Sequence, residues 1–256
     1  MKIIVAMRQI ADLVEELEVD GSGTDIDREF IKFVSNEWDE AALEEALCLK
    51  EAYGGEITVV GLDEVDFDQS LYGALAKGAD RAVKFTGDFE SWTSTKKRAG
   101  IIASWLKDEE FDLLLTGVQA ADDLDGQLAG VLAAHLGVAH AAVVVGVESD
   151  GSKIKITQEV GGGVTITTLA DTPIVLGIQA ARQAPRYVPI SRIKAAMTSG
   201  GIKEISAQEE TWLKGPKVLR LFAPVSQSHA TMLTGKPAEV AQQIVDLIRS
   251  KGLINS

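Results

Sequence analysis

Three aspartates, Asp122, Asp123 and Asp125, stand within a run of small residues, Thr116 to Gln127, that joins an apolar stretch to a helical one. The stretch before it, Phe111 to Leu115, reads as a buried strand. The stretch after it, Leu128 to Leu136, reads as a helix with small residues on its packing face. A strand, a small-residue turn and a helix N-terminus together form a site for an anionic group. The free backbone N–H groups and the positive dipole end of the helix point into the turn. The carboxylates oppose a simple phosphate cradle, since they would repel the ligand unless they cap the helix, bind a ribose or face water. The local chemistry therefore points toward a nucleotide without establishing one. His135, His140 and His229 lie far apart and lack metal-ligand spacing, so no metal is expected. No nucleophile elbow, Walker loop or paired-carboxylate signature is present, and no residue is expected to perform covalent chemistry.

The elements that must position this loop can be read from the apolar pattern. Lys2–Met7, Glu56–Leu62, Arg81–Phe85 and Asp112–Val118 read as short buried parallel strands. Between them, residues 39–53 place Ala42, Ala46, Leu49 and Tyr53 on one helical stripe, and Gly54-Gly55 stops it. Residues 66–77 and 94–107 form two further helices. This alternation predicts an α/β fold: a parallel sheet with helices on both faces and ligands at the carboxyl ends of the strands. The turns after Met7, Leu62 and Leu115 lie there. In the second half, Ala142–Glu148, Lys153–Val160, Val164–Ala170 and Pro173–Ile178 read as strands. Asp150-Gly151 is a hairpin signal, and Gly161-Gly162-Gly163 marks a bulge or close backbone approach. Residues 1–196 form the expected core. Residues 197–256 form an irregular arm ending in an amphipathic helix, Pro237–Gly252, read either as a subunit-association tail or as a helix packed on its own domain.

Composition bounds the partners. With 256 residues, 46% apolar and 25% charged, the chain is an ordinary globular one. A net charge of −13 speaks against nucleic acid, whose binding rests on lysine and arginine neutralising phosphates. The single Cys48 cannot form an internal disulfide. Lys2 leads straight into a strand, so no signal peptide is expected, and no apolar run approaches the ~20 residues of a membrane span. The expected compartment is cytoplasmic, or an organelle matrix (mitochondrial in a eukaryote).

Several blocks, in order, carry a family resemblance. Val5-Ala6-Met7-Arg8-Gln9-Ile10-Ala11-Asp12 looks like an opening strand and V-K-Q-x-x-D turn, with Arg8 in place of lysine. Asn36-Glu37-Trp38-Asp39 matches an N-x-[aromatic]-[DC] turn, followed by a helix ending Leu49-Lys50-Glu51. Ala76 to Arg81 matches A-x-G-A-D-R, and Gly117, Gln119, Ala120 and Asp122 with Gln127 match G-x-Q-A-x-D-x-D-x-x-Q. Pro173-Ile174-Val175 and Pro185-Arg186-Tyr187 keep the spacing of P-A-V and P-R-Y. The chain thus resembles the β subunit of electron-transfer flavoproteins over most of its length. The resemblance implies a flavodoxin-like, adenine-nucleotide-binding three-layer sheet with an added β-hairpin region, and a C-terminal arm and helix that wrap a partner. It also implies a heterodimer whose α subunit holds most of a redox FAD, with AMP bound structurally in the β subunit, or a second FAD in that site in bifurcating members. Electrons would pass from acyl-CoA or other dehydrogenases to a quinone oxidoreductase or similar acceptor. The chain would be an electron-carrier subunit rather than an enzyme. A rival of another class is a stand-alone ATP-binding, stress-type α/β protein, although the chain lacks the S-G-G-x-D-S pyrophosphatase loop.

Residue by residue, the resemblance implies that AMP meets Ala6, Asn36, Glu37, Trp38, Asp39, Leu62, Gly117, Gln119, Ala120, Asp122, Asp123, Asp125, Gly126, Gln127, Leu128 and Ala129. Taken alone, Ala6 and Leu62 would be strand packing, Asn36 a helix cap and Trp38 a core residue. Gly126 and Leu128 replace an asparagine and a threonine common in the family, removing two side-chain donors to phosphate. Leu124 replaces a common aspartate, and Ala129 a common glycine. Leu13 and Trp38 would lie near the flavin. Tyr187, Pro189, Ile190, Ser191 and Ile193 would form a docking loop near 185–194, with Ile190 as the apolar anchor. Glu159 would pair with an arginine of the α subunit; by itself it reads as a surface carboxylate.

Overall fold

Successive residues of the first strand face two different apolar layers. Ile3 and Val5 join one cluster, Ile4 and Ala6 the other. Burial on both faces is the reason these strands read as unbroken apolar runs. The computed structural model describes residues 1–29, 31–89, 92–123, 125–207, 217–224 and 230–254. Leu124 and His229, named above, lie outside the described residues.

In chain order the elements are β1 (Lys2–Ala6), β2 (Gln9–Ala11), β3 (Phe33–Ser35), α1 (Glu37–Tyr53), β4 (Glu56–Leu62), α2 (Phe67–Lys77), β5 (Arg81–Thr86), α3 (Thr95–Leu106), β6 (Leu113–Gly117), α4 (Leu128–Leu136), β7 (Ala139–Ser149), β8 (Ile154–Glu159), β9 (Thr165–Ala170), β10 (Ile174–Ile178), α5 (Ile190–Ser199), β11 (Ile202–Ser206) and α6 (Pro237–Ser250). Among the described residues, nine strands form one sheet in the order β11-β5-β4-β1-β6-β10-β7-β8-β9, and β2 and β3 pair separately as an antiparallel ribbon. The sheet is parallel from β11 to β10 and into the first half of β7, then antiparallel through β8 and β9. The expected α/β, three-layer, mostly parallel sheet with an added hairpin is what the chain forms. Helices α1 and α2 cover one face, α3 and α4 the other.

The crossover decides where a ligand can sit. From β1 the chain steps through β4 to β5 on one side, then returns past β1 to β6 on the other. The reversal opens a crevice at the carboxyl ends of β1 and β6, the topological switch point. The triple glycine joins β8 to β9, and all three residues are left-handed, at φ +89°, +62° and +76°. Side chains with a Cβ would be strained at each of them, so glycine is demanded three times.

The chain divides into two compact units, residues 1–221 and 222–256. Beyond residue 196 the first unit still adds the end of α5 and the edge strand β11, which runs parallel to β5 from Ile202↔Ala82 to Ser206↔Thr86. Both elements escape the apolar-pattern reading because each is half polar: α5 buries no residue fully, and β11 carries Lys203 and Glu204. In the second unit, α6 carries Pro237 at its first turn, and the Glu239 side chain accepts from the Lys236 N–H at 3.0 Å. Among the described residues no helix is long and apolar enough to cross a membrane.

Candidate functional site

The switch point is closed by one carboxylate. Asp39, in the first turn of α1, accepts from the Arg8 N–H at 3.0 Å and from the Gly117 N–H at 2.9 Å. It therefore bridges the chain just beyond β1 to the end of β6. Burial pushes its pKa up to about 6, against the opposing pull of Arg8 and the two backbone N–H groups. Gly117 is needed because this bridge leaves no room: a Cβ there would lie 2.5 Å from Asp39 Oδ1 and 2.8 Å from Trp38 Cβ.

Asn36 precedes α1 but its side chain makes no cap bond. Its Nδ2 instead donates to the Gln119 carbonyl at 2.9 Å, while its backbone N–H donates to the Arg8 carbonyl. The first turn of α1, the segment after β1 and the loop after β6 are thus tied into one unit.

Arg8 resolves the aspartate problem in a way the sequence did not suggest. Its guanidinium is buried, with Asp122 Oδ1 at 3.2 Å from one nitrogen and Asp123 in a short contact with another. Asp123 also accepts from the Ala120 N–H at 3.0 Å and the Thr95 hydroxyl at 2.9 Å. Asp125 accepts from the Gln127 N–H at 3.3 Å, just ahead of α4. Two of the three carboxylates are therefore held by an arginine, and the third braces the helix entry. Burial nonetheless holds Asp122 above the ordinary carboxylate range, with Arg8 and Arg98 pulling the other way. Gly126 is left-handed, φ +60°, with a would-be Cβ 3.1 Å from the Val118 carbonyl. Glycine or asparagine suits that conformation.

The remaining expected residues divide by depth. Ala6, Leu62, Leu128 and Ala129 have their side chains in the apolar cluster under α3 and α4, and Ala120 is fully buried. They can meet a ligand through their backbones. Glu37 is exposed and Trp38 half-buried. Leu13 is exposed on the long connection from β2 to β3. Glu159 is exposed at the end of β8, opposite Thr165. Of the docking residues, Tyr187, Pro189, Ile190 and Ser191 are exposed, but Ile193 is half-buried. The loop expected up to 194 is already helical at Ile190, since Pro189 ends the extended segment and α5 starts directly after it.

Several residues around the site carried no signal beyond ordinary charge or polarity. Arg98 is buried on α3 and pairs with Glu64 at 2.5 and 3.3 Å. A cavity of about 210 Å³ adjoins this pair, with Phe33, Phe89 and Trp92 among its walls and Gln9, Thr93 and Asp122 among its polar lining. Five buried polar atoms in this region have no partner: Asn36 Oδ1, Arg8 Nε, Arg98 Nε, Gln9 Oε1 and Thr93 Oγ1. Buried groups of this kind are nearly always satisfied, so a cluster of five marks a place for a polar ligand or ordered water.

Residues 26–210 match the family described as electron transfer flavoprotein domain. The chain is 34% identical to an electron transfer flavoprotein subunit beta of Methylophilus methylotrophus, over 97% of this chain and 98% of that one. It is 29% identical to the subunit beta of Bacillus subtilis over 99% of this chain and 100% of that one. A protein FixA of Azorhizobium caulinodans is 27% identical over 91% of this chain and 88% of that one.

Proposed function

The chain belongs to the electron transfer flavoprotein family, and on that premise we propose that it is the β subunit of a heterodimeric electron carrier that binds an adenylate group at its switch point. The observation that carries the adenylate reading is Asn36. Its Nδ2 is committed to the loop after β6, and its Oδ1 is buried, unpartnered and able to accept from a purine amino group. The start of α4, which has no side-chain cap, offers backbone N–H groups from Leu128 onward to a phosphate. The loss of two side-chain donors at Gly126 and Leu128 is tolerable there, because backbone groups supply the contacts.

FAD, held mainly by the α subunit, would supply the redox chemistry. This chain would close one side of that flavin through Leu13 and Trp38, fix the α subunit's orientation through Glu159, and dock an acyl-CoA or other dehydrogenase through Tyr187 and Ile190. A quinone oxidoreductase or similar acceptor would receive the electrons. A single exposed apolar anchor with polar neighbours suits a transient interface.

A second reading puts FAD in place of AMP. It is favoured by the aromatic-walled cavity beside the site, which gives a ligand longer than AMP somewhere to extend. Denaturing the purified heterodimer and counting its small molecules decides between them. One flavin and one AMP per heterodimer supports the first reading, two flavins and no AMP the second. Release of no nucleotide beyond the α-subunit flavin would refute both.

A further inference from the structure

We propose that Glu44 and Glu45 of α1, with Arg186 and Arg182, are positioning residues that hold the docking segment in shape before a partner arrives; this rests on the docking reading given above. Residues 179–189, between β10 and α5, have no regular secondary structure, yet they carry Tyr187, 84% exposed, and lead directly to Ile190, 66% exposed. Apolar anchoring within the segment is slight, with only Val188 buried and Ala181 partly so.

Charge supplies the fixation instead. Arg186 donates to Glu44 through its backbone N–H at 2.9 Å, its Nε at 3.0 Å and its Nη2 at 2.8 Å. Gln183 donates to the same carboxylate at 2.6 Å. Arg182 repeats the arrangement on Glu45, through its backbone N–H at 3.0 Å, its Nε at 3.2 Å and its Nη2 at 2.8 Å. Glu45 also takes the Val147 N–H at 3.1 Å, and Arg182 Nη2 reaches the Val147 carbonyl, so β7 is part of the same clamp.

Each carboxylate grips a side-chain fork and the backbone N–H of the same residue. That fixes φ and ψ of the segment as well as the position of the arginine. Both carboxylates are almost fully buried, at 1% and 0% exposure. Apolar side chains could fill the carboxylates' places at least as stably, so a buried carboxylate bonded to a partly exposed arginine, 27% for Arg186 and 35% for Arg182, is better suited to specifying one backbone course. A pre-ordered segment loses less entropy on docking than a loose one. The helix that carries the clamp is the one whose first turn closes the nucleotide edge.

The test uses the full chain in its heterodimer, with Glu44→Gln and the milder Arg186→Lys. Amide hydrogen exchange across 182–193 is compared with exchange in β1 and β6, and flavin reduction is followed against the concentration of an acyl-CoA dehydrogenase from the same cell. Exchange in 182–193 should rise about tenfold in Glu44→Gln, and less in Arg186→Lys, with β1 and β6 unchanged. The apparent KM for the dehydrogenase should rise while the limiting rate holds. Equal exchange in variant and parent, or an equal rise in β1 and β6, overturns the proposal. So does faster exchange with an unchanged KM when Ile190→Ala raises KM. If Ile190→Ala itself leaves KM unchanged, the docking reading falls, and the positioning role with it.

Discussion

Replacing Arg8 by methionine removes the charge that holds the loop after β6 while keeping a long unbranched side chain in its place. The Arg8 and Asp123 side chains are each 3% exposed, so this is a buried pair. Removing one partner of such a pair costs about 3–5 kcal/mol, because the other charge is left desolvated. Asp123 keeps its bonds from the Ala120 N–H and Thr95 Oγ1, which places the loss near the lower end, about 3 kcal/mol. Asp122 is one-third exposed and adds at most about 1 kcal/mol. For a unit of this size, a loss of about 3 kcal/mol lowers Tm by roughly 6–12 °C. The sign of the pH dependence follows from Asp122, which burial already holds above its ordinary range against the pull of Arg8. Without Arg8 the native chain keeps that proton still more tightly than the unfolded chain does. Lowering the pH toward the carboxylate range therefore favours the native variant, and its deficit shrinks. Urea denaturation followed by circular dichroism at about pH 7 and about pH 5 measures both quantities. A deficit under about 1 kcal/mol at neutral pH, or one that grows on acidification, would refute the assignment of Arg8 as the loop's counter-charge.

Gly117→Ala should cost about 1–3 kcal/mol and reduce adenylate content, since the new methyl group would meet Asp39 Oδ1 at 2.5 Å; full content and an unchanged Tm would show the crevice to be looser than described. Asp39 is raised from 3.8 to about 6, so the native chain binds its proton where the unfolded chain has lost it, and stability attributable to Asp39 falls as pH rises through that window. Asp39→Asn should flatten this part of the stability–pH curve, and an identical slope in both proteins would count against it. Ile190→Ala should slow reduction by the dehydrogenase with flavin and nucleotide content intact, because the side chain is exposed and supports no core; unchanged stopped-flow kinetics would remove the anchor role. Expressed without an α subunit, the chain should bind little FAD, and a stoichiometric yellow product would contradict the division of labour proposed here.

The parallel core of the sheet is legible because β1, β4, β5, β6 and β10 are buried on both faces and leave unbroken apolar runs. The apolar pattern gives β4 to the residue and β1, β5, β6 and β10 to within a residue at their ends; β7 starts three residues before the pattern places it, and the parallel edge strand β11 is missed. The ribbon of β2 and β3 was not legible, since three-residue strands are too short to show a period. Helix α5 and strand β11 hid behind their polar residues and behind the glycines that flank them. The loop Gly117–Gln127 was found from its small residues and its place between strand and helix.

Local sequence could fix the loop's place in the chain, between a buried strand and a helix, because that follows from apolar periodicity and turn residues that act over a few neighbours; the strand order that sets the loop beside β1 came only with the folded sheet. It could not fix how the charges pair. Arg8 and Asp123 are 115 residues apart, and Glu44 lies 142 from Arg186. Glu44 and Glu45 are charged residues on α1, yet the helix buries both, because arginines from beyond β10 come to meet them. Buried charge is tolerable only when its partner arrives, and that arrival is decided by the folded sheet, which brings distant segments to a common edge.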